Sequence, residues 1–202
     1  GPPLETVRTR IASDGELLVK GPNVMKGYYK NEEETHKAID DDGWFHTGDI
    51  AKIDEDGYIK ITDRKKHIIV TAGGKNVAPQ QMEGILVTSK WIEQVVIVGD
   101  DRKYLGALVV PSFPNLEEWA EEEGIDYDSK EDLINHPKVK AIYDNTIKDS
   151  MDGFAQFEKV RKYKLLTKEF TIEDGELTPS LKIKRNVVLK KYADKIDEMY
   201  SV

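Results

Sequence analysis

At Asp63-Arg64-Lys65-Lys66 the spacing of apolar residues changes, and that change limits the folds open to this chain. Before the junction, Glu16-Leu17-Leu18-Val19-Lys20 has strand character. Ile50-Ala51-Lys52-Ile53 and Tyr58-Ile59-Lys60-Ile61 alternate apolar and polar residues around Asp54-Glu55-Asp56-Gly57, which predicts a hairpin with a four-residue loop. Asn31 followed three residues later by Glu34 predicts a capped short helix through Ile39, with a turn at 40–43. After the junction, Ile68-Ile69-Val70 reads as a buried strand, and Pro79 suits the first turn of a helix carrying Met82, Ile85 and Leu86 inward. Strands are predicted at 95–98 and 105–110, then a stretch over 115–160 that is mostly amphipathic helix, with Gly124 as a C-cap and Val139, Ile142, Tyr143 and Ile147 as a core stripe. A last helix over 183–200 carries Val187, Val188, Lys191, Tyr192, Ile196 and Met199 at helical spacing. The fold class is therefore α+β, a β-rich portion 1–63 followed by an α+β portion 64–202.

Composition narrows the function classes. The chain has 202 residues, enough for one good core or two small ones. It lacks cysteine, which excludes disulfides, thiolate metal sites and cysteine nucleophiles together. Its 30 basic and 38 acidic side chains give a net charge of -8, which argues against a nucleic-acid partner. The lysines concentrated over 159–195 read as solvated helix faces. No run approaches the roughly 18 apolar residues of a membrane span, and the start lacks the pattern of a signal peptide, so a cytoplasmic location is expected.

Four places carry chemistry. Asp49 ends Trp44-Phe45-His46-Thr47-Gly48-Asp49, where a carboxylate after glycine can accept bonds from the vicinal hydroxyls of a ribose or act as a turn residue. Arg64 is a rigid fork of donors that suits ribose oxygens or phosphate, or a surface ion pair with Asp63 or Asp49. Gly73-Gly74-Lys75 can cradle a phosphate-bearing ligand or form a plain turn. Lys182, in Leu177-Thr178-Pro179-Ser180-Leu181-Lys182, places a compact ammonium at the start of the last helix, where it can serve two anions at once or simply be solvated. His36, His46, His67 and His136 have no metal-ligand spacing, and no metal site is predicted.

The string GWFHTGDIAKIDEDGYIKITDRKKHIIVTAGGKNVAPQQME over 43–83 resembles the adenylate-forming superfamily of acyl-CoA synthetases, peptide-synthetase adenylation domains and luciferases. Glu176-Leu177-Thr178-Pro179-Ser180-Leu181-Lys182-Ile183-Lys184-Arg185 is similar to the lysine-bearing motif of the long-chain fatty acid:CoA ligases within it. The resemblance implies the last β-rich piece of a large barrel-containing domain (1–63), then a mobile small domain (64–202) with a three-stranded sheet flanked by helices. It makes Asp49 and Arg64 nucleotide-binding, Lys66 the hinge, Gly73, Gly74 and Lys75 CoA-binding, and Lys182 catalytic, with Lys184 the alternative register. Leu181 departs from the commoner family pattern, which has glycine there.

The family's triphosphate loop ending in Pro-Lys-Gly and its magnesium glutamate do not occur in the sequence. The expectation is therefore a C-terminal fragment, inactive by itself, whose ATP and Mg2+ are held mainly by the absent N-terminal domain. CoA is the implied co-substrate, a fatty acid the implied substrate, and peripheral membrane association is compatible with the family. The competing readings are an acyl-ACP ligase, a peptide-synthetase adenylation domain, and a non-catalytic binding module.

Overall fold

The alternating residues of the first part form a meander of four antiparallel strands, β1 (Arg8–Ile11), β2 (Glu16–Lys20), β3 (Phe45–Ile53) and β4 (Ile59–Arg64), in the order β1-β2-β3-β4. The computed structural model describes residues 1–201 and divides into two compact units, Gly1–Ile68 and Ile69–Val202. In the first unit, helix α1 (Glu32–Ala38) starts where the Asn31 side chain accepts the Glu34 N–H at 3.1 Å. The β3–β4 loop is one residue longer than the alternation predicts. The Asp54 carboxylate accepts the Tyr58 N–H at 2.8 Å and so takes that residue out of the strand ladder. A 3-10 turn at Lys65–His67 follows β4. The apolar side chains fully buried in this unit are Leu17, Leu18 and Ala51 among the described residues.

The second unit holds the larger core. A two-stranded ribbon, β5 (Ile69–Val70) with β6 (Asn76–Val77), leads into α2 (Pro79–Leu86). Strands β7 (Ile92–Val98), β8 (Leu105–Pro111) and β9 (Val160–Leu165) form a mixed sheet in which β8 runs antiparallel to β7 and parallel to β9. The β8–β9 crossover contains α3 (Phe113–Glu122), α4 (Lys130–Asn135) and α5 (Pro137–Ser150). Because strand side chains alternate, Val95, Ile97, Ala107 and Val109 join one core with residues of α2 to α5. Val96, Val98, Leu108 and Val110 face the other way, onto Phe170, Leu177, Val188 and Met199. Strand β8, covered on both faces, is buried along its whole length.

Four local expectations are corrected. Of Ile68-Ile69-Val70 only Ile69 is fully buried, and Val70 is exposed on the two-residue strand β5. In α2 the inward positions are Pro79, Met82 and Leu86, while Ile85, one residue round the helix from Leu86, is exposed. Part of the lysine-rich stretch, Lys162 and Lys164, lies on strand β9 rather than on a helix, because β9 completes the sheet beside β8. The final helix is two, α6 (Arg185–Lys191) and α7 (Ala193–Tyr200). They break at Tyr192, whose ring packs edge-on against Phe170 at 5.8 Å, so tertiary packing overrides the continuous period.

Candidate functional site

The first cluster is built on the β3–β4 pair. Asp49 and Arg64 are direct partners in the strand register, and Arg64 Nη1 lies 2.8 Å from Asp49 Oδ1. The carboxylate is mostly shielded and the guanidinium about half exposed, so the pair offers an anchored acceptor beside an accessible donor fork. Gly48 has φ +69, a left-handed conformation that favours glycine and lets the backbone turn just before Asp49.

Glu16, absent from the site expected on sequence grounds, holds that turn. It is 3% exposed, and its Oε1 accepts the Gly48 N–H at 2.8 Å. Its Oε2 meets His46 Nδ1 at 3.0 Å and Lys65 Nζ at 2.9 Å. Burial pushes the Glu16 carboxyl up, but the hydrogen bonds from Lys65, His46 and Gly48 outweigh it and leave the pKa below the ordinary value. Lys65 is also 2.7 Å from Asp14, whose pKa it lowers, and the two carboxylates raise that of Lys65, Asp14 contributing first. Lys66, the expected hinge residue, follows in the 3-10 turn with its side chain exposed. A carboxylate at an inward strand position among leucines is the one sequence signal that marks Glu16.

In the second unit, Gly73, Gly74 and Lys75 occupy the exposed turn between β5 and β6. The buried Thr71 organises it: Gly74 N–H donates to Thr71 O at 2.8 Å, and Lys75 N–H to Thr71 Oγ1 at 3.2 Å. Gly74 has φ +70, whereas a side chain added at Gly73 would meet only Thr71 Oγ1, 3.9 Å away. The Lys75 ammonium lies 5.9 Å from the ring centre of Phe157, itself 42% exposed.

Lys182 sits on a separate tight turn between β9 and α6. Thr178 closes this turn three times: its N–H donates to Lys182 O at 2.8 Å, its O accepts the Leu181 N–H at 2.9 Å, and its Oγ1 accepts the Lys182 N–H at 3.0 Å. Leu181 has φ +60, so the turn requires the conformation that glycine, the commoner family residue, adopts without strain. Both Lys182 and Lys184 are exposed, but Lys184 caps α6 and donates its N–H to Glu176 O at 2.7 Å. Arg185 next pairs with Glu83 of α2 and donates to Ile97 O at 2.6 Å, tying the start of α6 to the sheet. Asp49, Arg64 and Lys66 thus belong to one unit, and the glycine turn and Lys182 to the other. No group of His, Asp or Glu arranged to hold a metal ion occurs among the described residues.

A family described as "AMP-binding enzyme C-terminal domain" matches residues 66–202. The chain belongs to this family. It corresponds to the C-terminal part of an AMP-binding acyl-CoA ligase. It is 43% identical over 202 residues to the long-chain-fatty-acid–CoA ligase FadD15 of Mycobacterium tuberculosis, covering all of this chain and 34% of that protein. With long-chain-fatty-acid–CoA ligase 1 of Cavia porcellus it shares 41% identity over 190 residues, 93% of this chain and 27% of the relative. The chain therefore spans about a third of the length of these curated relatives. Among solved structures, the A domain of the carboxylic acid reductase from Segniliparus rugosus, in complex with AMP and a co-purified carboxylic acid, is similar with a TM-score of 0.78 and 26% identity, over 98% of this chain and 32% of that one. No helix among the described residues is long and apolar enough to cross a membrane.

Proposed function

We propose that this AMP-binding family member serves in a long-chain fatty acid:CoA ligase, in which a fatty acid is activated with ATP to acyl-AMP and the acyl group then passes to CoA. The observation that carries the reading is the 43% identity to a long-chain-fatty-acid–CoA ligase across the whole chain. In the first half-reaction a carboxylate oxygen bonds to the α-phosphorus as its bond to pyrophosphate breaks. In the second, the CoA sulfur bonds to the acyl carbon and AMP departs.

On this reading Asp49 accepts hydrogen bonds from the ribose hydroxyls, and the Arg64 fork, anchored to Asp49, contacts the same nucleotide. The exposed Lys182 ammonium lies between the acyl carboxylate and the α-phosphate, where it offsets their repulsion and stabilises charge building at phosphorus. The part of the chain that follows Lys66 forms a mobile domain that turns about that residue and brings the Gly73-Gly74-Lys75 turn to line the CoA channel for the second step. By itself the chain makes no acyl-AMP, because the triphosphate loop does not occur in it. Magnesium, on this reading, would be held mainly by residues outside this chain.

A second reading, in which the acceptor thiol belongs to a carrier protein, is favoured by the similarity to an A-PCP didomain of carboxylic acid reductase, with a TM-score of 0.77 and 25% identity. Supplying the intact ligase with CoA or with a phosphopantetheinylated carrier separates the two by which thioester forms.

The test of the main reading is Lys182→Ala in the intact ligase. Losing this contact is expected to raise the adenylation barrier by about 3 kcal/mol or more, roughly a hundredfold in rate. Thioester formation from supplied acyl-AMP is expected to change far less. If both half-reactions slow equally while Lys184→Ala slows only adenylation, the catalytic lysine is Lys184.

A further inference from the structure

Glu176 takes no part in the chemistry above, yet it is 0% exposed. Its Oε2 accepts the Thr171 N–H at 3.1 Å. Its Oε1 lies 3.0 Å from Lys191 Nζ, at the end of α6, and the Tyr192 hydroxyl next along the chain also interacts with the carboxylate. Its main chain is engaged as well: the N–H donates to Thr171 O at 3.0 Å, and the O accepts the Lys184 N–H at 2.7 Å. One residue further on, Leu177 bridges Ile183 in antiparallel register. The segments leading into and out of the Lys182 turn therefore close directly beside this carboxylate.

A buried carboxylate is a costly way to fill such a space, since desolvation opposes it and an apolar side chain of similar volume packs there without that cost. What the charge supplies is a fixed geometry. Lys191 is 40% exposed and also contacts Asp174 at 3.2 Å, so it keeps a partner and its hydration without Glu176, whereas Glu176 has Lys191 as its ion partner. The carboxylate joins the 171 turn to the far end of α6, and its carbonyl joins both to the residue where α6 begins. Lys182 lies between these attachments.

We propose that Glu176 is a positioning residue for Lys182, holding the stalk of its turn so that the ammonium meets the reacting anions in one place. The proposal rests on the reading of Lys182 as the adenylation lysine. Glu176 touches neither substrate nor nucleotide, and it acts only through that lysine.

Glu176→Gln keeps the volume and one acceptor oxygen. In the intact ligase it is expected to lower kcat for adenylation by about 10- to 100-fold, with KM for ATP and the thioester step from supplied acyl-AMP little changed. In a Lys182→Ala background the same substitution is expected to cost less than about twofold more, because the group it positions is gone. In the 202-residue chain, exchange of the Thr171 and Lys184 amides is expected to quicken while the β8 amides keep their protection. Lys191→Met, at a half-exposed side chain, removes the counter-charge without emptying the buried position and is expected to give the same split between half-reactions. Equal slowing of both half-reactions, or losses that multiply in the double variant, would show a general packing role and overturn the proposal. So would an unchanged adenylation rate in both Glu176→Gln and Lys191→Met. A Lys182→Ala enzyme with full adenylation would instead remove the underlying reading, and the positioning role with it.

Discussion

A carboxylate enclosed by its own donors stabilises local geometry in a way that a solvated one does not, and Glu16 is the example at the scale of single residues. Burial raises its pKa, but the hydrogen bonds from Lys65, His46 and Gly48 outweigh it and lower the pKa, as Lys65 lowers that of Asp14. Groups depressed on folding contribute stability that is present above the ordinary carboxylate pKa of about 4.3 and is lost as pH falls through their folded values. Lys65, raised by the same contacts, contributes below its ordinary pKa of about 10.4 and loses that contribution as pH rises through its folded value. Glu16→Gln is therefore expected to destabilise the first unit by about 1.5–3 kcal/mol at pH 7 and to flatten its acid-side loss of stability. Urea unfolding followed at the Gly48 amide resonance, at neutral pH and at pH values below about 4, checks both effects. An unchanged acid slope would place the titrating groups elsewhere. Leu181 illustrates a different residue-scale effect: a left-handed φ at a non-glycine residue costs on the order of 1 kcal/mol, which the surrounding turn sustains through Thr178.

At the scale of elements, the two glycines of the β5–β6 turn separate folding from function. Gly74 adopts a conformation that strains any other residue, by roughly 1–3 kcal/mol, so a loss of activity on substitution there mixes two causes. Gly73 has neither a left-handed φ nor a close neighbour. Gly73→Val is thus expected to leave the melting temperature of the chain nearly unchanged, and in the intact ligase to slow CoA transfer about tenfold or more while sparing adenylation. Slowed adenylation, with transfer unaffected, would remove this turn from the CoA channel. Sequence reading placed β2, β7, β8 and α5 well because their apolar period agrees with their packing, and α1, which buries no residue, because of its Asn31 cap. Strand β9 escaped it because Lys162 and Lys164 look like solvated helix residues until β8 is beside them. The break at Tyr192 escaped it because nothing local interrupts the helical period.

At the scale of the molecule, the buried apolar side chains are divided unequally. Leu17, Leu18 and Ala51 are fully buried in the first unit, whereas two continuous clusters cover both faces of the sheet in the second. Each large aliphatic or aromatic side chain taken out of water contributes about 1.5–3 kcal/mol, so the first unit has little to set against its chain entropy. Hydrogen exchange on the isolated chain is expected to show the amides of β1 to β4 exchanging well before those of β7 and β8, and limited proteolysis to cut first within Gly1–Ile68. Equal protection of the two units would contradict this.

The sequence by itself determined the α+β class, most of the strands and helices and the exclusion of cysteine chemistry, because these rest on local periods and composition, and its family resemblance pointed to Asp49, Arg64, Lys66, Gly73, Gly74, Lys75 and Lys182 as candidates. Only the tertiary structure decided how those residues are held. Glu16 lies 32 positions from Gly48 and 49 from Lys65, Glu83 lies 102 from Arg185, and Thr71 acts through a backbone turn rather than a motif. Glu176 is closer in sequence to Lys191, but which of its neighbours its carboxylate meets depends on burial beneath α6. Hydrogen bonds and ion pairs form between whatever groups the packed backbone brings within about 3 Å, and no period along the chain encodes that distance.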